Sequence, residues 1–495
     1  MKVKSIEILN SYFDFIDVSN LKGKCLIFHT KKNAYLFDTG TGKIFLLNGE
    51  NEMYIFLSLL NQSLEEDIDE ESVQNVVELC KKEHLLQGIT KRDFYEIDRE
   101  YIKDKVENEL SQITLEVTQQ CNLRCKYCIY DHEHENFRNY ESKEMTWDIA
   151  KRAIDYANLH SKDQVVISFY GGEPLLKFDL IKKSVEYAQS IIKEKALSFS
   201  MTTNMVLMDE RKADFIAKVP YFSVTASIDG PQHIHDANRV DIKGNGTYIE
   251  SMKGLKIFVE KLKEFDSNFK NRISLSMVLD QPFLNTKYDE IETFFKELDW
   301  LPYDIEKMVT YADYPINHKF HQPREEREYI DSWVLNMKGE DNFYNGTLES
   351  VMYPIHARNI SETPQEYMKM NGCCVVGSRK LYVTAEGEFL ACERIGVSPS
   401  LGDVFNGVDF KRLFKYYIDE FQTKSKEECL NCWASTICNV CYARYYDKDG
   451  YNNKTKMSVC ENTRKELHDF LILYHTYLEN NPEVIKKLNN IVTVS

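Results

Sequence analysis

An α/β fold is predicted: a partial (β/α)6 barrel of the TIM type, preceded by a small winged-helix-like module and followed by a cysteine-rich domain. Three patterns in the 495-residue chain predict it. Apolar runs alternate with helical segments through the middle of the chain. Short strands and two amphipathic helices precede them, and eight of the thirteen cysteines fall between Cys373 and Cys460. At 43% hydrophobic residues the chain can bury substantial cores, and its length suits about two to four domains. The net charge of -16 argues against broad binding to phosphates, so no nucleic acid is expected as a partner. The start, "MKVKSIEILNSYFDFIDV", lacks a long apolar stretch after its lysines, and no segment approaches the roughly 18 apolar residues of a membrane span. A soluble cytoplasmic chain with no membrane partner is expected. In a reducing compartment thirteen cysteines suit metal, cluster or catalytic roles better than disulfides, with Cys25 and Cys80 read as buried packing residues.

Taken in order, "KCLIFHTKKNAYLFDTGTGKIFLLN" reads as three short strands broken by "TKKN" and by the turn signal "TGTG". "ENEMYIFLSLLNQ" and "EESVQNVVELCKKEHLL" carry apolar residues at helical spacing. These form a module over residues 1–95, and the charged run 96–111 is expected to be a linker. From there "QITLEVT", "QVVISFY", "LSFSMTTN", "YFSVTASI", "RISLSMVLD" and "IEKMVTYA" are six candidate strands separated by helices, the signature of a parallel sheet or barrel over 112–340. Six units fall short of the eight of a complete barrel. A cysteine-rich region with its bridging segment follows over 341–465, and a terminal helix that only packs is expected over 466–495.

The stretch "VTQQCNLRCKYCIYD" holds Cys121, Cys125 and Cys128 just after the first barrel strand. Four thiols would close a zinc site, whereas three leave one metal position without a protein ligand. One βα unit later, on the next strand, "FYGGEPLL" places Gly171 and Gly172 at the strand end, where absent side chains admit a close approach, with Glu173 and Pro174 next. Together these motifs resemble the radical S-adenosylmethionine (SAM) superfamily. The resemblance implies a [4Fe–4S] cluster on the three cysteines, whose open iron chelates SAM, and reductive cleavage of SAM to a 5'-deoxyadenosyl radical. It also implies SAM contacts from Gly171, Gly172, Glu173 and Pro174, from Tyr127 near the adenine, and from Asn204, Ser227 and Arg239. His233 and His235 are read as solvated loop residues.

The second region reads "CCVVGSRKLYVTAEGEFLAC", then "CLNCWASTICNVC", then Cys460. It resembles the SPASM extension of radical SAM enzymes, which implies two auxiliary [4Fe–4S] clusters and so three clusters in all. Carried over by position, Cys429, Cys432, Cys438 and Cys460 would hold one, and Cys374, Cys392 and Cys441 the other. The spacing departs from the family between the last two cysteines of the tight group, where only Asn439 and Val440 intervene. The neighbouring Cys373 is expected not to ligate, because adjacent side chains of extended backbone point to opposite faces, leaving an open auxiliary iron. Structural zinc is the competing reading of this region.

The N-terminal module resembles a RiPP recognition element, which captures the leader of a ribosomally made precursor peptide as an added strand, here near residues 43 to 48. A cap or dimerisation domain is the alternative. These parts imply a peptide maturase that joins a cysteine sulfur to carbon in a thioether, with a precursor peptide as substrate and a flavodoxin or ferredoxin as electron donor. Carbon-carbon crosslinking, epimerisation and oxidation of a sulfatase residue to formylglycine are alternatives. A non-catalytic iron–sulfur redox sensor that binds a peptide is the reading from another class. No general base stands out.

Overall fold

The computed structural model describes residues 2–130, 137–279, 285–311, 352–370, 374, 376–393 and 396–489. The N-terminal module contains β1 (Cys25–His29), β2 (Ala34–Asp38) and β3 (Ile44–Leu46) in an antiparallel sheet of that order. Two helices follow, α1 (Glu50–Asn61) and α2 (Glu70–Glu83), the second capped by Asp69, whose Oδ1 accepts from the Ser72 amide at 2.7 Å. Leu36 and Cys25 enter a core with the helices, and Cys80 is buried in the same core, so both stray cysteines pack as expected.

The charged run expected to be a linker forms helix α3 (Arg99–Asn108), started by Asp98, whose Oδ1 accepts from the amides of Glu100 and Tyr101 at 3.0 Å. Ile102 and Val106, one turn apart, are buried in the barrel core and anchor it. The apolar stripe is two residues wide and was outweighed in the sequence by the charges around it.

All six predicted strands form. They are β4 (Gln112–Thr118), β5 (Gln164–Gly171), β6 (Ala196–Thr203), β7 (Phe222–Ser227), β8 (Ile273–Leu279) and β9 (Lys307–Tyr311), parallel and adjacent in sequence order. The intervening helices are α4 (Trp147–His160), α5 (Phe178–Ile191), α6 (Glu210–Lys218), α7 (Gln232–Asn238), α8 (Tyr248–Phe265) and α9 (Asn285–Glu297). One face of each strand is apolar and covered by helices, as with Ile113, Leu115 and Val117 of β4. The other face carries small hydroxyls. Gln112 donates to Ser168 at 2.6 Å, Ser168 and Ser200 meet at 2.5 Å, and Thr225 and Ser274 at 3.0 Å. Side chains at Ser200, Thr225, Ser227, Ser274 and Ser276 remain half-buried, so the inner face is a polar, partly open trough.

The cysteine-rich region is built onto this sheet. β10 (Lys380–Val383) pairs in parallel with β4, Lys380 opposite Gln112 and Val383 opposite Leu115, and β11 (Phe389–Leu390) returns antiparallel. Helix α10 (Phe421–Leu430) carries Cys429 near its end. The last long helix, α11 (Asn453–Asn480), begins well before the expected boundary and carries Cys460 in its second turn. It packs, as expected, and the surface it packs on is the N-terminal module: Phe28, Tyr35 and Phe37, on the face of the N-terminal sheet opposite Leu36, form a core with Leu467, Leu471, Tyr474 and Ala434. His475 of α11 lies edge-on to Phe28 at 5.1 Å and against Tyr35 at 4.6 Å. The Thr39 hydroxyl donates to the Trp433 carbonyl at 2.7 Å, and the Thr436 hydroxyl to the Thr39 carbonyl at 3.0 Å. No helix among the described residues is long and apolar enough to cross a membrane.

Candidate active site

The three-cysteine loop leaves the carboxyl end of β4 and is held from two sides. On one side Gly171, at φ +136°, and Gly172 press against it: Cβ atoms there would lie 2.1 Å from the Thr118 carbonyl oxygen and 2.0 Å from that of Gln120. The amides of Gly172 and Glu173 donate to those same two carbonyls at 2.9 Å. What needs the missing side chains is therefore the cysteine loop itself, rather than a ligand alone as the sequence suggested. On the other side the Arg124 amide donates to the Val240 carbonyl at 2.7 Å and the Lys126 amide to that of Asn238 at 3.0 Å. Within the loop the Cys128 amide returns to the Cys125 carbonyl at 3.0 Å, a turn that brings these two cysteines together.

Glu173 is buried, and much of its capacity is used by the protein. Its Oε1 accepts from the Leu175 amide at 2.9 Å and the Thr203 hydroxyl at 2.7 Å, and its Oε2 from the Asn204 amide at 2.9 Å. One lone pair of Oε2 remains for a ligand ammonium. Burial raises its pKa, opposed by those hydrogen bonds. Pro174 opens the short 3-10 turn Pro174–Lys177, where a missing amide hydrogen costs nothing. Asn204, at the end of β6, donates to Asn122 Oδ1 at 3.0 Å and lies 4.0 Å from the Cys121 sulfur. Ser227 sits half-buried on the trough face at the end of β7.

Arg239 and Tyr127 converge on a residue to which the sequence assigns no role: Asp229. Its Oδ2 accepts from the Tyr127 hydroxyl at 2.5 Å and from Arg239 Nε at 2.9 Å, and its Oδ1 from Arg239 Nη2 at 3.0 Å and the Val278 amide at 2.9 Å. Arg239 is thus a buried, charge-paired group beside Cys125. His235 is a correction: it lies in α7 rather than a solvated loop and is buried, its Nδ1 accepting from the Asp229 amide at 3.4 Å. Burial, then the charge of Arg239, pushes its pKa down to about 4. His233 is exposed as expected and faces Glu290 at 3.1 Å. Tyr140 was missed as well. Burial and the nearby Cys128, Cys121 and Cys125 raise its phenol pKa, and Arg124 lies 4.1 Å over its ring.

The donor set fits an iron–sulfur cluster. Burial pushes the Cys121 and Cys125 thiols up to about 12, with Glu173 adding to the rise at Cys121 and Arg239 opposing it at Cys125. Grouped thiols that cannot ionise alone suit a polycationic centre that ionises them together. In the second region burial pushes Cys429 up to about 11 and Cys438 up to about 12, with the neighbouring Cys432 and Cys460 adding to the rise at both. Cys374 and Cys441 both face the buried Tyr442. Cys392 follows β11 and packs against the same core. Cys373 lies outside the described residues. Among the described residues no three His, Cys, Asp or Glu side chains stand close enough to hold a single metal ion.

A six-stranded parallel sheet with an open polar face, bearing a three-thiol loop on its first strand clasped by two glycines of its second, defines a radical SAM domain. Residues 115–275 match the Radical SAM superfamily, and this stretch forms the radical SAM core of the chain. The class implies a [4Fe–4S] cluster and SAM at this site. The chain is 25% identical to the cysteine-type anaerobic sulfatase-maturating enzyme of Clostridium perfringens (strain ATCC 13124) over 77% of this chain and 99% of that protein. It is 26% identical to the uncharacterized protein MJ0907 of Methanocaldococcus jannaschii over 60% of this chain and 89% of that one. Its fold resembles the solved structure of native anSMEcpe with bound AdoMet and Kp18Cys peptide, at TM-score 0.54 and 22% identity, covering 77% of this chain and 100% of that chain.

Proposed function

We propose that this enzyme modifies a peptide, and that the modification is a thioether joining a cysteine sulfur to a carbon of a ribosomally made precursor. The observation that carries the peptide reading is the outer edge of the N-terminal sheet. Strand β3 pairs with β2 on one side and with no strand among the described residues on the other, and Leu46 is exposed there. A leader segment adding to that edge would gain backbone hydrogen bonds, while the hydroxyl-lined trough of the barrel offers donors and acceptors to a polar chain. The maturase relative, whose name places it on sulfatases, supports a peptide substrate too.

SAM, when bound to the cluster, supplies a 5'-deoxyadenosyl radical. In the proposed reaction one C–H hydrogen leaves with that radical, the thiol proton leaves to solvent, the C–S bond forms, and the surplus electron passes to an iron–sulfur cluster. Two auxiliary clusters are proposed, on Cys429, Cys432, Cys438 and Cys460, and on Cys374, Cys392 and Cys441. The second is proposed to keep an open iron, so Cys373→Ala should leave iron content unchanged. Residues 1–95 are proposed as the recognition module, and a flavodoxin or ferredoxin as electron donor. Tyr127, Asn204, Ser227 and Arg239 are proposed to border SAM, Arg239 from its anchorage on Asp229.

Oxidation of a sulfatase cysteine to formylglycine is the second reading, favoured by the near-complete coverage of the Clostridium perfringens enzyme. Coexpression with a short cysteine-containing peptide encoded beside the gene separates the two. A thioether removes two hydrogens and consumes the thiol, whereas formylglycine gives an aldehyde that reacts with a hydrazine. An unmodified peptide in the presence of fully reconstituted, SAM-cleaving enzyme would overturn the peptide reading.

A further inference from the structure

Beside the four thiols of Cys429, Cys432, Cys438 and Cys460 stand two groups that the reading above leaves without a role, Lys456 and Tyr445. Lys456 lies one helical turn before Cys460 on α11, on the same face, and its side chain is only 2% exposed. A lysine buried this completely is uncommon unless paired. Its Nζ contacts Glu428, the residue before Cys429, but that carboxylate is 43% exposed and water screens it. The ammonium therefore keeps much of its positive field on its buried side, where Cys429 and Cys460 lie. Both thiols, like the Glu428 carboxylate, lie within electrostatic reach of the ammonium.

Tyr445 reaches the same thiols. Its Oη is 3.8 Å from the Cys460 sulfur, in an aromatic layer where its ring stacks on Phe421 at 6.3 Å. A thiol at Cys460 donates to that oxygen, but a metal-bound thiolate has no proton, and the phenol then becomes the donor. At the SAM site, by contrast, the buried cation Arg239 is offset by an equally buried carboxylate, Asp229.

We propose that Lys456 and Tyr445 are positioning residues that make the cluster held by Cys429, Cys432, Cys438 and Cys460 an electron-accepting site, stabilising its reduced form. The inference rests on that cysteine set binding a cluster. A cluster with four thiolates gains one negative charge on reduction, so a buried ammonium and a hydrogen bond to a ligand sulfur both favour the reduced state. Thioether and formylglycine formation alike release one electron after hydrogen-atom transfer, and this site would receive it.

The test is an anaerobic redox titration of the reconstituted full-length protein followed by electron paramagnetic resonance, comparing Lys456→Met and Tyr445→Phe with the parent. The expected result is that the same one midpoint moves to more negative potential in both variants, at unchanged iron content, while the others stay in place. Unmoved midpoints at full iron content would overturn the proposal. If Lys456→Met loses iron, the Tyr445→Phe titration decides by the same criterion, since removing one hydroxyl opens no cavity. A Cys429→Ala variant with undiminished iron would instead refute the cluster assignment beneath it.

Discussion

Replacing Gly172 with alanine tests whether the glycine pair serves the cysteine loop. The added methyl would sit 2.0 Å from the Gln120 carbonyl oxygen and 2.4 Å from its carbon, both backbone atoms that no rotamer can move aside. Relief requires the loop and the end of β5 to part by more than about 1 Å, an overpacking cost of about 1–3 kcal/mol. Parting also stretches the two 2.9 Å bonds from the Gly172 and Glu173 amides to Thr118 and Gln120, each worth about 1 kcal/mol. The total, about 3–5 kcal/mol, falls on the segment that aligns Cys121 with its two partners. Iron per chain after anaerobic reconstitution should fall by the SAM cluster's share alone, with 5'-deoxyadenosine production lost and iron at the proposed auxiliary sites retained. A Gly172→Ala protein with full iron and undiminished SAM cleavage would refute the reasoning.

Other outcomes follow from the same geometry. Asp229→Asn leaves the buried Arg239 with a neutral partner whose amide hydrogens oppose donors on Tyr127 or Arg239, and should cost about 3 kcal/mol or more, read as early local unfolding by hydrogen exchange in α7 and β8. His235 and His475 have pKa values pushed down to about 4, both chiefly by burial, so the unfolded chain takes up their protons first. The stability they contribute is present above about pH 6.5 and is lost as pH falls from there toward about 4, by a few kcal/mol, visible in urea midpoints against pH; His475→Gln should flatten that slope. Phe37→Ala removes a ring that meets Trp433 at 6.2 Å in the seam between module and α11, and should cost about 3–5 kcal/mol locally, with limited proteolysis releasing residues 1–95 faster than in the parent.

Six barrel strands were legible because short apolar runs recur between helical segments, and in several of them apolar residues alternate with hydroxyls, as in "SFSMTT" and "SLSMV". The three thiols and the glycine pair were legible because their spacing is short and local. Helix α3 was hidden by its charges, with only Ile102 and Val106 to betray a buried side. Burial of His235 escaped detection because a single histidine in a polar stretch carries no periodicity. Nor could the sequence tell that β10 would pair with β4, since 264 intervening residues separate Leu115 from Lys380, where the ladder begins. The role of Asp229 also depends on distance in space: its partners come from the cysteine loop, from α7's end and from β8, three segments with no shared pattern.

The ladder between Lys380–Val383 and Gln112–Leu115 bears on how such proteins can be recombined. Because the C-terminal half enters the catalytic sheet as a structural stave, the two halves share one rigid frame and cannot be exchanged at the obvious boundary. A chimera cut just before the first tight cysteine pair, at Cys429, would pair a foreign α11 with the host's stave, whereas a junction upstream of Lys380 transplants stave, hairpin and thiols as one casting.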